Sequence, residues 1–154
     1  MKMEGFPTPP PQEKSQEKIT WEQKLAEVKE ITDSLGKGVD EKIKESVAAF
    51  LIHKFTTSGS CEGHTTEEGK EKHGLPYPWI EVYAPEPEGW ETNEEKQNEW
   101  NMENLKQQKK MMSFFEKFYK DRKTSFDARL TFDRVGAYGG FRVQSFGAEM
   151  WPTL

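Results

Sequence analysis

Cys61, His64 and His73 have side chains that act as nucleophiles, bases or metal ligands, and they fall within one short stretch with Glu62 beside the first. Two glycines, Gly59 and Gly63, bracket the run SCE, so the backbone can turn tightly there and turn its N–H groups outward. Ser58 and Ser60 add hydroxyls. Backbone donors and hydroxyls gathered in this way suit an anion or a carboxylate. Read as a metal site, the spacing Cys-x2-His-x8-His offers zinc one thiolate and two imidazoles, leaving a fourth position open for catalysis. Read as a covalent catalyst, Cys61 is the nucleophile and His64 or His73 its base. A third reading makes Cys61 a small buried residue and leaves both histidines in solvent.

Two further groups could line a pocket around this stretch. In HGLPYPWI, Pro76 and Pro78 hold the backbone extended and set the directions of Tyr77 and Trp79. These rings would stack a base or another planar ligand, or simply cover the core. Arg129, Arg134 and Arg142 form either a cationic edge that grips phosphate or carboxylate, or the solvated side of a hairpin whose Leu130 and Phe132 point inward. Lys106, Lys109, Lys110 and Lys117 read as a solvated helix face.

The elements that position these residues follow from periodicity and punctuation. Residues 1–18 are rich in proline and charge, so they are expected to form a disordered tail, with one α+β domain over 19–154. Thr20 and Gln23 make a capping box for a first helix. Its stripe is Trp21, Leu25, Val28, Ile31 and Leu35, and Gly36 stands at its C-terminal cap. Asp40 caps a second helix with the stripe Ile43, Val47, Phe50 and Leu51. A strand is expected over 55–58, opening into a glycine-containing loop over 59–63, with polar loop over 65–74. A second strand, over 79–84, is bounded by Pro78 and Pro85. It places Ile80 and Val82 on one face and Trp79, Glu81 and Tyr83 on the other.

Thr92 and Glu95 open a long helix running to about Arg122, with the stripe Trp100, Leu105, Met112, Phe115, Phe118 and Tyr119 and a possible break near 98–104. This helix could also serve as a partner surface. ARLTFDRV and GFRVQSF alternate with period two around the glycine-rich turn 136–140, which makes a β-hairpin. The sum is an α+β fold: a small mixed or antiparallel sheet with two N-terminal helices and one long helix packed on it.

At 154 residues the chain is sized for one domain. Its hydrophobic fraction is low, 33%, but five tryptophans and a net charge of only −5 favour a core built around aromatics over disorder. No apolar run is long enough to span a bilayer, and residues 1–11 lack the apolar segment of a secretory signal, so no membrane partner is expected. A single cysteine excludes an internal disulfide framework and fits a reducing cytoplasm. The acidic balance (pI ≈ 5.4) disfavours RNA as a partner, while leaving room for a local basic groove and for a small-molecule or nucleotide-like ligand.

Over residues 36–64 the chain resembles the wybutosine-synthesising tRNA methyltransferase family. The shared pattern is Val39, Asp40 and Glu41 at a helix start, an apolar helix, then Phe55, Thr56, Thr57, Ser58, Ser60, Cys61 and Gly63. Where the family carries arginine after that glycine, this chain carries His64. The resemblance covers about a fifth of the chain and implies S-adenosylmethionine as cofactor and N-methylation of a hypermodified guanosine in phenylalanine tRNA. Taken with the residues above, it places Cys61 and His64 in catalytic roles and Ser58, Ser60, Glu62, Gly63, Tyr77, Trp79 and Arg142 around the ligand. The alternative is a non-catalytic metal-binding or protein-interaction module in which Cys61, His64 and His73 hold zinc.

Overall fold

A computed structural model describes residues 11–32, 36–63, 75, 77–145 and 147, with the backbone alone over 11–17. The fold is α+β. Helix α1 (Pro11–Glu30) and helix α2 (Lys44–Ile52) precede strand β1 (Thr57–Cys61) and strand β2 (Trp79–Val82). Helix α3 (Glu94–Tyr119) and a hairpin of β3 (Leu130–Val135) and β4 (Gly140–Ser145) complete it. All pairings are antiparallel, and the strand order is β1-β2-β4-β3, so the last strand inserts between β2 and its own hairpin partner.

The helices cover one face of this sheet. Val28 of α1, Ile43, Val47 and Ala48 around α2, and Ile80 of β2 form one buried cluster, flanked by Trp21, Leu25 and Phe50. Phe55, Val82, Met111, Phe141 and Val143 form a second, flanked by Phe50, Phe115 and Phe132. Phe50 joins the two. Its ring lies 5.6 Å from that of Phe55, across the end of α2. There Lys54 adopts φ 60, its N–H donates to Leu51 O, and the Phe55 N–H donates to Phe50 O. This is the paired closure of a Schellman motif with its usual apolar contact.

Several boundaries differ from those expected. Helix α1 begins at Pro11, so residues 11–18 of the expected tail are helical; proline is pre-organised for a first helical position, and Gln, Glu and Lys propagate a helix well. Residues 1–10 lie outside the described residues. The same helix stops at Glu30 rather than at Gly36: Thr32 pairs with Gly38 in an antiparallel bridge, and Gly36 takes φ 76. Strand β1 occupies 57–61, so Gly59, Ser60 and Cys61 belong to the strand and not to a loop; residues 55 and 56 are the link from α2.

Helix α3 is capped by Asn93, whose side chain accepts from the Lys96 N–H, while Thr92 ends a short 3-10 turn (Trp90–Thr92). The helix is continuous through 98–104, and its buried side is Trp100, Asn104 and Met111. Met112 and Phe118 are exposed, as is Leu130 on the sheet edge, contrary to the expected stripe and hairpin core. The stripe shifts because three amides fasten α3 to strand ends. Asn104 Oδ1 accepts from Ala84 N–H (2.7 Å), Gln107 Oε1 accepts from Thr56 N–H (2.8 Å), and Gln108 Nε2 donates to Gly139 O (2.7 Å). Buried backbone groups beyond the ends of a sheet must find partners, and here they take polar side chains from the helix. No helix of the described residues is long and apolar enough to cross a membrane.

Candidate functional site

Within the SCEG run, Glu62 and Gly63 close the fold, and it is Ser58, two residues before the run, that reaches the exposed sheet face. Glu62 acts structurally: its N–H donates to Asp40 Oδ2 (3.0 Å), and its carboxylate accepts from the Lys42 N–H (3.1 Å). These two bonds, to neighbouring residues of one turn, fix the end of β1 to the entry of α2. Asp40 therefore turns its side chain to Glu62 and does not cap its own helical turn. Gly63 has φ 84, and a Cβ there would stand 2.7 Å from Tyr77 C and 2.9 Å from Pro78 N, so the loop and the Tyr77–Pro78 backbone meet only because the side chain is absent.

Cys61 is buried, and its Sγ accepts from the Gly63 N–H at 3.4 Å. Burial pushes its thiol pKa up, and the nearby carboxylates of Asp40 and Glu62 push it the same way. That direction disfavours the thiolate that nucleophilic attack requires. His64 and His73 lie outside the described residues, among which no group of three or more His, Cys, Asp or Glu could hold a metal ion.

The raised value has a checkable consequence. A thiol whose folded pKa exceeds its unfolded one adds stability that is complete below the unfolded value, about 8.5, and is lost as pH rises through the folded value. Iodoacetamide at pH 8 is therefore expected to alkylate folded Cys61 at least ~10-fold more slowly than the urea-unfolded chain. Equal rates would show that the thiol ionises freely.

Ser58, Trp79 and Arg142 come together on the face opposite the helices, and Glu81 is their hub. Register pairs Glu81 of β2 with Arg142 of β4 and Trp79 with Gln144. Arg142 Nη2 donates to Glu81 Oε2 (3.1 Å), Ser58 Oγ donates to Glu81 Oε1 (2.9 Å), and the Arg142 guanidinium lies 4.1 Å from the centre of the Trp79 ring. Gln144, 3% exposed, donates to Asp133 Oδ2 (2.9 Å). Three polar atoms of this face are buried with no hydrogen-bond partner among the described residues: Trp79 Nε1, Arg142 Nε and Gln144 Oε1. Ser60 pairs with Ile80 instead, in the register of the helix-covered face, and Tyr77 contributes its backbone at Gly63. Arg129 lies over the Tyr119 ring, its guanidinium 5.4 Å from the ring centre.

Beside Ser58 and Glu81 opens a cleft of about 600 Å³ whose walls sequence reasoning did not assemble. Tyr83, Trp90, Trp100 and Tyr138 supply them. Trp100 and Tyr138 stack with centroids 4.8 Å apart, Trp90 meets Tyr138 edge-on at 5.4 Å, and Tyr83 lies 5.0 Å from Trp100. The Tyr138 N–H donates to Tyr83 Oη (3.2 Å) and Trp100 Nε1 donates to Ala84 O (2.7 Å), so the wall is tied to the strand ends. The available signal was Glu81 with Tyr83: a carboxylate and a phenol on the non-core side of a short strand require neighbours, but those neighbours come from β4 and α3, far away in sequence.

A scan against protein-family models, curated proteins and solved structures returns no match to this chain.

Proposed function

We propose that this chain is a cytoplasmic modifying enzyme that binds an adenosylmethionine-like or nucleotide-like ligand against the β1–β2–β4 face. One observation carries the reading: on that face two buried donors, Trp79 Nε1 and Arg142 Nε, and one buried acceptor, Gln144 Oε1, lack partners. Leaving such groups unpaired costs about 1–3 kcal/mol each, a cost that a ligand with matching heteroatoms would remove once the Trp79 and Arg142 side chains turn to admit it. Adenosylmethionine fits the donor set: Arg142 suits a carboxylate, Trp79 a base and Ser58 a hydroxyl or ring nitrogen. When bound it would supply an electrophilic methyl group. The resemblance over residues 36–64 supports the same choice. In this reading Cys61 and Glu62 support the strand that carries Ser58, and Arg142, held by Glu81, orients the ligand.

The test is thermal denaturation and calorimetry with adenosylmethionine, its demethylated product, ATP and a guanosine-containing RNA. At least one is expected to raise Tm by several degrees, since a ligand at 100 times its Kd stabilises by about 2.7 kcal/mol. Arg142→Met is expected to weaken that ligand about tenfold or more. If none of the four shifts Tm, the reading is wrong.

A second reading, a non-catalytic module, is favoured by one observation: Glu62 and Gly63 are committed to closing the fold. Stoichiometric zinc in tag-free protein would select its metal-binding form.

A further inference from the structure

We infer that the aromatic cleft beside this face is a receptor for an organic cation of the quaternary ammonium class. Its lining combines the rings of Tyr83, Trp90, Trp100 and Tyr138 with two carboxylates, Glu81 and Glu86, and includes no lysine or arginine among the described residues. A cation over the faces of such rings is attracted by their quadrupoles, Trp and Tyr being the stronger partners. An anionic ligand would meet the same ring faces and the carboxylates as repulsion. Glu86 is held where it can act, because its Oε2 accepts from Trp90 Nε1 (3.3 Å), which fixes a negative charge at the edge of the ring wall. Glu81 is partly neutralised by Arg142, so Glu86 carries most of the unbalanced charge.

Shape points the same way. Tyr83 lies so close to Gly140 that a Cβ there would stand 2.0 Å from its ring, and its hydroxyl is tied to the Tyr138 backbone. The wall is therefore built in advance, and binding needs little side-chain ordering. Burial pushes the Tyr83 phenol pKa up, which keeps that ring neutral across the physiological range. A compact onium group with methyl substituents can meet the half-buried rings Tyr83, Trp90 and Tyr138, whereas a strongly hydrated primary ammonium forfeits more solvation on entry. The site shares Ser58 and Glu81 with the face described above, but the inference does not depend on any reaction there.

The trimethylammonium group could arrive on a free metabolite or on a methylated lysine, so the test has two arms. Calorimetric titration with choline is paired with its neutral isostere 3,3-dimethylbutan-1-ol, and a trimethyllysine peptide is paired with its unmethylated form. Binding of at least one trimethylammonium probe is expected, with its counterpart at least ~10-fold weaker, and the tighter probe identifies the source. Glu86→Gln and Trp90→Leu are each expected to weaken that probe about five- to tenfold. Should Trp90→Leu fail to fold, Glu86→Gln, an exposed surface change, decides alone. Equal binding of choline and its isostere would mean a merely apolar cleft. That result, unchanged affinity in Glu86→Gln, or no binding of either probe overturns the inference, and adenosylmethionine binding would be untouched by it.

Discussion

Alanine at Gly63 is expected to destabilise the protein by about 3–5 kcal/mol, a large effect for one added methyl group. Two terms combine. The residue sits at φ 84, where a Cβ costs roughly 1–2 kcal/mol. The Cβ would also press on Tyr77 C and Pro78 N at 2.7 and 2.9 Å. These are backbone atoms, so relief requires moving the strand entry itself and not rotating a side chain. The strand that would move begins at Trp79, whose ring lies over Gly59 and under Arg142. Gly36→Ala provides the control. Its φ is 76, yet nothing lies within 4 Å of the new Cβ, so it should cost only the conformational part, about 1 kcal/mol. Urea unfolding followed by circular dichroism separates the two variants. If Gly63→Ala is no worse than Gly36→Ala, the close approach of loop and strand entry does not exist.

Legibility in the sequence followed a physical line. The hairpin, strand β2 and the long helix were readable because alternation, bracketing prolines and apolar spacing are local signals. Their neighbours in space were not. That β4 inserts beside β2 is what brings Arg142 to Glu81 and Ser58, and nothing within either strand encodes that pairing. Ser58, Trp79 and Arg142 were therefore identifiable one by one from chemistry, while their hub Glu81 was recognisable only as a residue on the non-core side of a strand. At Cys61 and Glu62 residue type points to reactivity, while the structure shows a buried thiol and a glutamate bonded to Asp40 and to the Lys42 N–H, contacts that no local sequence signal announces. The acidic, aromatic cleft drew its tryptophans from a 3-10 turn and a helix, and Tyr138 from a hairpin turn, so no contiguous motif announced it.

The second large effect concerns the polar residues on the buried side of α3. Asn104 is fully buried and makes two bonds at once, accepting from Ala84 N–H at 2.7 Å and donating from Nδ2 to Tyr138 O at 2.8 Å. Leucine has nearly the same size, so Asn104→Leu leaves packing volume almost unchanged and isolates the bonds. It strands one backbone donor and one backbone acceptor in the interior, each costing about 1–3 kcal/mol. The expected loss is therefore about 3 kcal/mol, or a fall in Tm of roughly 6–12 °C for a chain of this size. Gln108→Leu removes a single bond, to Gly139 O, from a half-buried position, and should cost about 1 kcal/mol. Both Ala84 and Tyr138 line the cleft, so the first variant should also weaken the trimethylammonium probe, while the second leaves it nearly unchanged. If Asn104→Leu is neutral or stabilising, hydrophobic burial alone holds α3 to the sheet, and the amides are incidental to both the helix register and the shape of the cleft.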